Sequence, residues 1–253
     1  GAAQAAEASA PVELEAVTVT AQKRAQDTLD VGLNVAVITG SDLQARRVTQ
    51  VSDLSTFTPN VDIKENIPGI LPVVTIRGVG LNDFSATNNP SAGVYVDEVY
   101  LSSLALMNFD LFDLERMEAL KGPQGTLYGR NSTAGAINVL TARPSFGGME
   151  GRIAGSYGNY KTADLDGWVN LPVSDAFAIR LSGKIESQDE GYFFNRLQGG
   201  DVGRRDVQMG RAQFRWKPDE SLDVLLKLEV QKVRSELGGA EFFGLLKPVG
   251  APA

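Results

Sequence analysis

The side chains that most often carry out chemistry are missing from this 253-residue chain or stand at the wrong spacing. It has no His and no Cys. That removes the commonest general base and metal ligand, along with thiol nucleophiles, Cys-based zinc sites and disulfides. Serine–histidine catalysis is excluded outright. The run KGPQGTLYGR (121–130) has the glycines of a phosphate loop but no Gly-Lys-Ser/Thr to end it. RGVGLND (77–83) lacks the third glycine of a dinucleotide site. Asp97 and Glu98 are adjacent on a segment that reads as a strand, so they point to opposite faces and make a poor acid/base pair. The residues therefore predict no enzyme, no catalytic residue, no metal site and no cofactor.

The remaining charges are unevenly spread. Residues 1–150 carry 10 basic and 17 acidic side chains, a balance of −7, while residues 151–253 carry 14 of each. The chain reads as two bodies, the first acidic, and nothing in it offers nucleic acid a basic face. Within the acidic body Arg77, Arg116, Lys121 and Arg130 are exceptions. Either they are solvated surface charges or, if confined, each needs a carboxylate partner. Gly122, Gly125 and Gly129 beside them allow close backbone approach in a compact loop.

The elements that must position these residues fall into two styles. Before residue 150 they are short and mixed. Strands are predicted over 33–39, 73–77, 94–101 and 136–141. Ser41-Asp-Leu-Gln44 forms a capping box opening one helix, and a second, near 50–57, stops at Pro59. The stretch 110–121 suits either helix or strand. Ahead of them the β-branched run Val17–Thr20 can extend, as a first strand of the body or as an addition to another sheet's edge.

From residue 151 the pattern is strict alternation. Leu165, Val169 and Leu171 alternate with Asp164, Asp166, Trp168 and Asn170; Ile179, Leu181 and Ile185 with Arg180, Ser182, Lys184 and Glu186; Phe214 and Trp216 with Arg211, Gln213 and Arg215; Val224, Leu226 and Leu228 with Asp223, Lys227 and Glu229. About five strands result, the longer ones near the ~9–11 residues of a tilted membrane strand. Tight connections at 173–175 and 218–221 oppose a long polar one at 189–206. A one-sided soluble sheet alternates too, but strand length and turn asymmetry favour a membrane wall with a wet lumen. Trp168 and Leu225 are exceptions on the wet face. Five strands cannot close a barrel, for which ~8 is the minimum, so the rest comes from the same longer chain or from another polypeptide.

The succession TIRGVG (75–80), GVYVDEVYL (93–101) and LERMEALKGPQGTLYGRNSTAGAINVLTARP (114–144) resembles the plug domain of TonB-dependent outer-membrane transporters, and EAVTVTA (15–21) resembles their energy-coupling box. The resemblance implies an α+β plug domain followed by the first antiparallel strands of a transmembrane β-barrel of about 22 strands. It implies a flexible periplasmic segment at 1–30, a plug at 31–150 and barrel strands at 151–253. Glu15, Ala16, Val17, Thr18, Val19, Thr20 and Ala21 would pair with a TonB-type energy-transducing protein by strand addition. Arg77 and Lys121 would lock the plug to wall carboxylates lying beyond residue 253. The family usually has Arg where Lys121 stands, and a lysine lacks the bidentate fork. Asn82, Asp83, Phe84 and Ser103 would touch a small-molecule or iron-chelate substrate. The implied function is energised import of a scarce, bulky substrate, siderophore-bound iron first among them, across the lipid of a Gram-negative outer membrane. The alternatives are a ligand-sensing signalling receptor and a soluble periplasmic binding module.

Overall fold

The computed structural model describes residues 18–19, 26–27, 34–65, 72–80, 90–102, 109–129, 131–196 and 199–236. Two bodies follow one another. In the first, β1 (Thr18–Val19) pairs antiparallel with β2 (Gln26–Asp27). Strand β3 (Asn34–Thr39) runs into helix α1 (Gly40–Ala45). The cap is Thr39 rather than Ser41, because the Thr39 hydroxyl accepts from the Asp42 N–H. A 3-10 turn at Val51–Asp53, closed by a Gln50/Asp53 capping box, leads into α2 (Leu54–Phe57) just before Pro59.

Strands β4 (Val61–Glu65) and β5 (Pro72–Ile76) then form an antiparallel pair. The expected single strand 94–101 is instead a hairpin, β6 (Ala92–Val96) and β7 (Val99–Tyr100). Asp97 and Glu98 are its two turn residues, both at positive φ (46° and 70°), as a two-residue turn matching the strand twist requires. They therefore do not lie on opposite faces of a strand. The ambiguous stretch resolves as strand β8 (Leu114–Lys121), preceded by a segment that bridges Gln50 at Asp110 and bends at Asp113, which has positive φ (49°). After α3 (Gly125–Tyr128) comes β9 (Gly135–Thr141), buried at every position.

These strands make a mixed sheet of order β3-β8-β9-β6-β7, with β6 and β9 parallel. One face is covered by α1, α2 and the β4–β5 pair, and the core between them includes Val51, Leu54, Ile63, Ile76, Val94, Met117, Ile137 and Val139. Gly135 (φ +151°) sits where any Cβ would collide with the Leu120 carbonyl oxygen, so this position of β9 admits only glycine.

The second body is a meander: β10 (Glu150–Gly158), β11 (Thr162–Ser174), β12 (Phe177–Gln188), β15 (Arg205–Asp219) and β16 (Leu222–Ser235), each antiparallel to its neighbour. A small hairpin, β13 (Phe193–Phe194) and β14 (Asp201–Val202), occupies the long connection between β12 and β15. The four strands after β10 run 12–15 residues, more than a tilted bilayer crossing needs. One end of the wall carries the tight turns after β11 and β15. At the other end the β12–β15 connection is long, but β10 and β11 are joined by a tight turn as well, Asn159–Lys161, so the turn asymmetry is weaker than the sequence implied.

The alternation sorts the wall as expected. Arg180, Lys184, Val207, Arg211 and Gln213 are buried against the first body, while Ile185, Leu226, Leu228 and Val230 point away and are exposed, Val230 to 70%. Trp168, the wet-face exception, stacks its ring 3.8 Å from the Arg180 guanidinium and so packs on the wall's own cation.

Candidate functional site

The chemistry of this molecule lies in how the first body is held in the concave face of the second. The short segment Asp110–Asp113 is the centre of that contact. It is fixed to its own body by the Leu111 N–H donating to the Thr49 carbonyl (2.8 Å) and the Ala142 N–H donating to that of Asp113 (3.1 Å). From the wall, Arg180 donates through Nε (2.8 Å) and Nη2 (2.5 Å) to the two Asp113 oxygens. This is a bidentate pair with both side chains buried. Arg205 donates to Asp110 at 2.5 Å and to Glu186 at 2.7 Å. Arg211 lies 4.3 Å over the Phe112 ring and reaches the Phe112 and Asp113 carbonyls at 3.3 Å. Phe112 itself packs on Val207 and Met209.

Two further contacts extend the seat. Lys227 donates to Asp97 at 2.6 Å, and the same carboxylate accepts from the Thr141 N–H (2.8 Å) and hydroxyl (2.7 Å). Burial alone would raise the Asp97 pKa, but these hydrogen bonds and the Lys227 charge outweigh it and hold it below the usual carboxylate range. Asn170 clasps the connecting segment, accepting from the Ser145 N–H and donating to the Ser145 and Gly148 carbonyls. Arg215 donates to the Pro144 carbonyl.

The polarity of this seat was not anticipated. Sequence reasoning placed cations on the first body and carboxylates on the wall. In the described region carboxylates of the first body meet cations of the wall. The signal was available in the −7 balance of residues 1–150 and in the regular Arg/Lys positions of the alternating strands. What hid it is that alternation identifies a wet face without saying what fills it.

Arg77 and Lys121 do come together. Arg77 follows β5 at positive φ (54°), with its N–H on the Asn60 carbonyl (2.8 Å). The Arg77 guanidinium lies in van der Waals range of the Gly122 Cα region, a Cβ built there standing 3.8 Å from Nη1, and it is the positive φ of Gly122 (114°) that calls for glycine. The Lys121 pKa is lowered, first by burial and then by the Arg77 charge. Among the described residues no ion pair reaches either cation. The glycine-rich run they border is structural: Gly122 and Gln124 donate to the Ala134 and Ser132 carbonyls, and Tyr128 packs edge-on to Tyr95 at 4.9 Å. Arg116 is paired with Glu115 and Glu118.

Thr18 and Val19 of the coupling segment are extended and paired with Gln26–Asp27. Glu15, Ala16, Val17, Thr20 and Ala21 lie outside the described residues, as do Asn82, Asp83, Phe84, Ser103 and Arg130.

A mixed α+β body seated by buried ion pairs on the polar face of a meander wall, with apolar side chains on the outside, defines a plugged β-barrel of which this chain builds one sector. The comparisons with known proteins agree. A family model described as TonB-dependent Receptor Plug Domain matches residues 27–136. The chain is 27% identical over 210 residues to the pesticin receptor of Yersinia pestis, covering 81% of this chain and 30% of that protein. It is 26% identical over 229 residues to the ferrioxamine receptor of Yersinia enterocolitica, covering 89% and 31%. It superposes on the crystal structure of the ferric yersiniabactin uptake receptor FyuA from Yersinia pestis with a TM-score of 0.64 at 27% identity, over 74% of this chain and 29% of that one. The ferripyoverdine receptor of the Pseudomonas aeruginosa outer membrane shares the fold, with a TM-score of 0.71 at 14% identity over 85% and 27% of the two chains. Residues 27–136 match the plug domain of TonB-dependent receptors, and the chain as a whole is similar in sequence and fold to the plug and opening wall strands of such receptors. It spans about 30% of the length of the curated relatives it matches. Those relatives are receptors rather than enzymes.

Proposed function

We propose that the receptor containing this chain imports a ferric siderophore across the outer membrane, driven through residues 15–21 by a TonB-type protein. The observation that carries this reading is the seat itself: a folded plug fills the wet face of a membrane-length wall and is held there mainly by ion pairs and hydrogen bonds, with one small apolar contact of Phe112 on Val207 and Met209. Such a plug blocks the lumen at rest and can still be moved without dismantling the wall. The named ligands of the relatives, ferrioxamine and ferric yersiniabactin, supply the substrate class. No nucleotide site stands in the sequence, so the work must arrive mechanically. Substrate binding would shift the plug's population towards a state in which the coupling strand is free to add to its partner's sheet.

In this reading residues 1–30 are the coupling segment, 31–150 the plug and 151–253 the wall. Asn82, Asp83, Phe84 and Ser103 face the substrate. Arg77 and Lys121 form a second lock with carboxylates of later wall strands. The close approach of two cations supports it, since an anion inserted between them relieves their repulsion.

The experiment is Val17→Pro in the full-length receptor. Proline removes a ladder donor and stiffens the segment. Uptake of the radiolabelled ferric chelate is expected to fall to the level of an energy-uncoupled strain, with binding to cells unchanged. Uptake at the unsubstituted rate would refute the coupling role.

A further inference from the structure

The two faces of the wall treat their cations differently. On the inner face every described cation, from Arg152 on β10 to Lys227 on β16, is ion-paired with a carboxylate. On the outer face stand Arg204, Lys232 and Arg234, all exposed. Among the described residues no carboxylate reaches the side chain of any of the three.

They form one group. Lys232 and Arg234 follow Val224, Leu226, Leu228 and Val230 on the same side of β16, by its alternation. Across the ladder Lys232 faces Gln208 and Arg234 faces Asp206. Arg204 continues that outer row of β15 by one step. Its carbonyl accepts from the Glu236 N–H (3.0 Å), which sets it diagonal to Arg234, about 7–8 Å away. Two carboxylates lie nearby, and both are engaged elsewhere. Asp206 accepts from the Ser187 hydroxyl (3.0 Å), and Glu236 from the N–H groups of Gly203 (3.0 Å) and Arg204 (3.2 Å).

The same strands set the depth of the group. Trp216 points outward on β15, 48% exposed, opposite Phe177, as aromatic residues do at the edge of an apolar band. From Trp216 to Arg204, at ~3.4 Å per residue along a strand tilted by ~40°, is about 31 Å along the membrane normal, against ~25 Å for the band. The cations therefore stand just past its opposite edge, at headgroup level. That is the end of the wall with the long β12–β15 connection, the end that faces outward in such barrels.

We infer that Arg204, Lys232 and Arg234 form a headgroup site for a phosphorylated lipid of the outer leaflet, whose acyl chains lie along Val230, Leu228 and Leu226. Unmatched cations directly above an apolar stripe complement a molecule carrying phosphate at one end and hydrocarbon at the other. The inference is independent of what the receptor imports. It rests on the wall facing lipid.

The test uses the full-length receptor in a neutral detergent, titrated with fluorescent lipopolysaccharide. A basic residue beside anionic lipid strengthens binding about fivefold. The triple variant Arg204→Gln/Lys232→Gln/Arg234→Gln is therefore expected to bind at least 10-fold more weakly. Arg46→Gln/Arg47→Gln/Lys64→Gln removes the same charge from exposed positions of the plug and should bind as the unsubstituted receptor does. Equal affinity of the first triple and the unsubstituted receptor, or equal losses in the two triples, would overturn the site. Two further arms need no variant. Dephosphorylated lipopolysaccharide should bind the unsubstituted receptor at least 10-fold more weakly, and excess inorganic phosphate should not displace the labelled lipid. Undiminished binding of the dephosphorylated lipid would overturn the phosphate contacts, and displacement by inorganic phosphate would overturn the lipid as occupant. Insertion of the unsubstituted receptor into phosphatidylcholine vesicles checks the lipid-facing wall separately. A receptor that inserts but shows none of these contrasts refutes the headgroup site alone, whereas one that does not insert refutes the wall and the site together.

Discussion

Arg180 and Asp113 exchange two charge-assisted hydrogen bonds where neither group can be hydrated. Pairs of this kind add little over well-packed apolar residues, but breaking one by removing a single partner costs ~3–5 kcal/mol, because a buried charge is stranded. Arg180→Leu is therefore expected to loosen the plug more than Asp113→Asn, since it leaves a full carboxylate with no cation, whereas the guanidinium left by Asp113→Asn still has an amide oxygen to donate to and the Trp168 ring to stack on. The measurement is sensitivity of cells to a large antibiotic that a seated plug excludes. Arg180→Leu should raise it most, and the double variant Arg180→Leu/Asp113→Leu should recover part of the loss. If the double variant is as leaky as Arg180→Leu, the stranded charge is not the cause. At this scale the sequence was only partly readable. It identified Arg180 as lumen-facing from its alternation with Ile179 and Leu181. It could not pair it with Asp113, because a contact across 67 residues leaves no periodic trace.

The β6–β7 hairpin shows how an element carries a contact that its residues alone do not suggest. Its two-residue turn projects Asp97 off the sheet, so that one carboxylate joins Thr141 at the end of β9 to Lys227 on β16. Because the Asp97 pKa is lowered on folding, the sign of its linkage is fixed. Its contribution is complete above the ordinary carboxylate value of ~3.9 and is lost as pH falls through the lower folded value. Thermal melts of the receptor in detergent should accordingly show an acid-side loss of stability below about pH 4 that is shallower in Asp97→Asn. Parallel curves for the two proteins would mean that the hairpin does not bear on the seat. Legibility differs between the two bodies for a physical reason. The wall strands bury one face only, so period two survives along each of them. In the plug, β9 is buried on both faces and β6 nearly so, which erases alternation. The short β4 does alternate, Val61 and Ile63 inward against Asp62 and Lys64, but over too few residues to stand out. A hairpin reads as one strand because valines and tyrosines flank its turn on both sides.

Across the whole molecule the charge follows the architecture. The acidic body meets a wall whose Arg180, Lys184, Arg205, Arg211 and Lys227 point inward, alongside one apolar contact of Phe112 on Val207 and Met209, while the middle of the outer face is apolar. The outer face of β16 makes this testable. Val224, Leu226, Leu228 and Val230 project from one side of the strand, and Leu228 is 57% exposed. In water such a stripe would be a liability. Facing hydrocarbon it is the stabilising surface, and a charge there costs ~2–4 kcal/mol near the bilayer midplane, falling towards ~0–1 at its edges. Leu228→Arg, mid-strand, is therefore expected to reduce folding of the full-length receptor into phosphatidylcholine vesicles by at least 10-fold, while Leu222→Arg, at the turn, should be tolerated. Gln231→Arg, on the lumen side of the same strand, should be nearly neutral, because its side chain stays in the wet interior. A soluble sandwich with the same alternation would bury that apolar stripe under a second protein layer. It would then fold without vesicles and would show no dependence of the arginine penalty on position along the strand. The depth profile of that penalty therefore distinguishes a wall facing lipid from one facing protein.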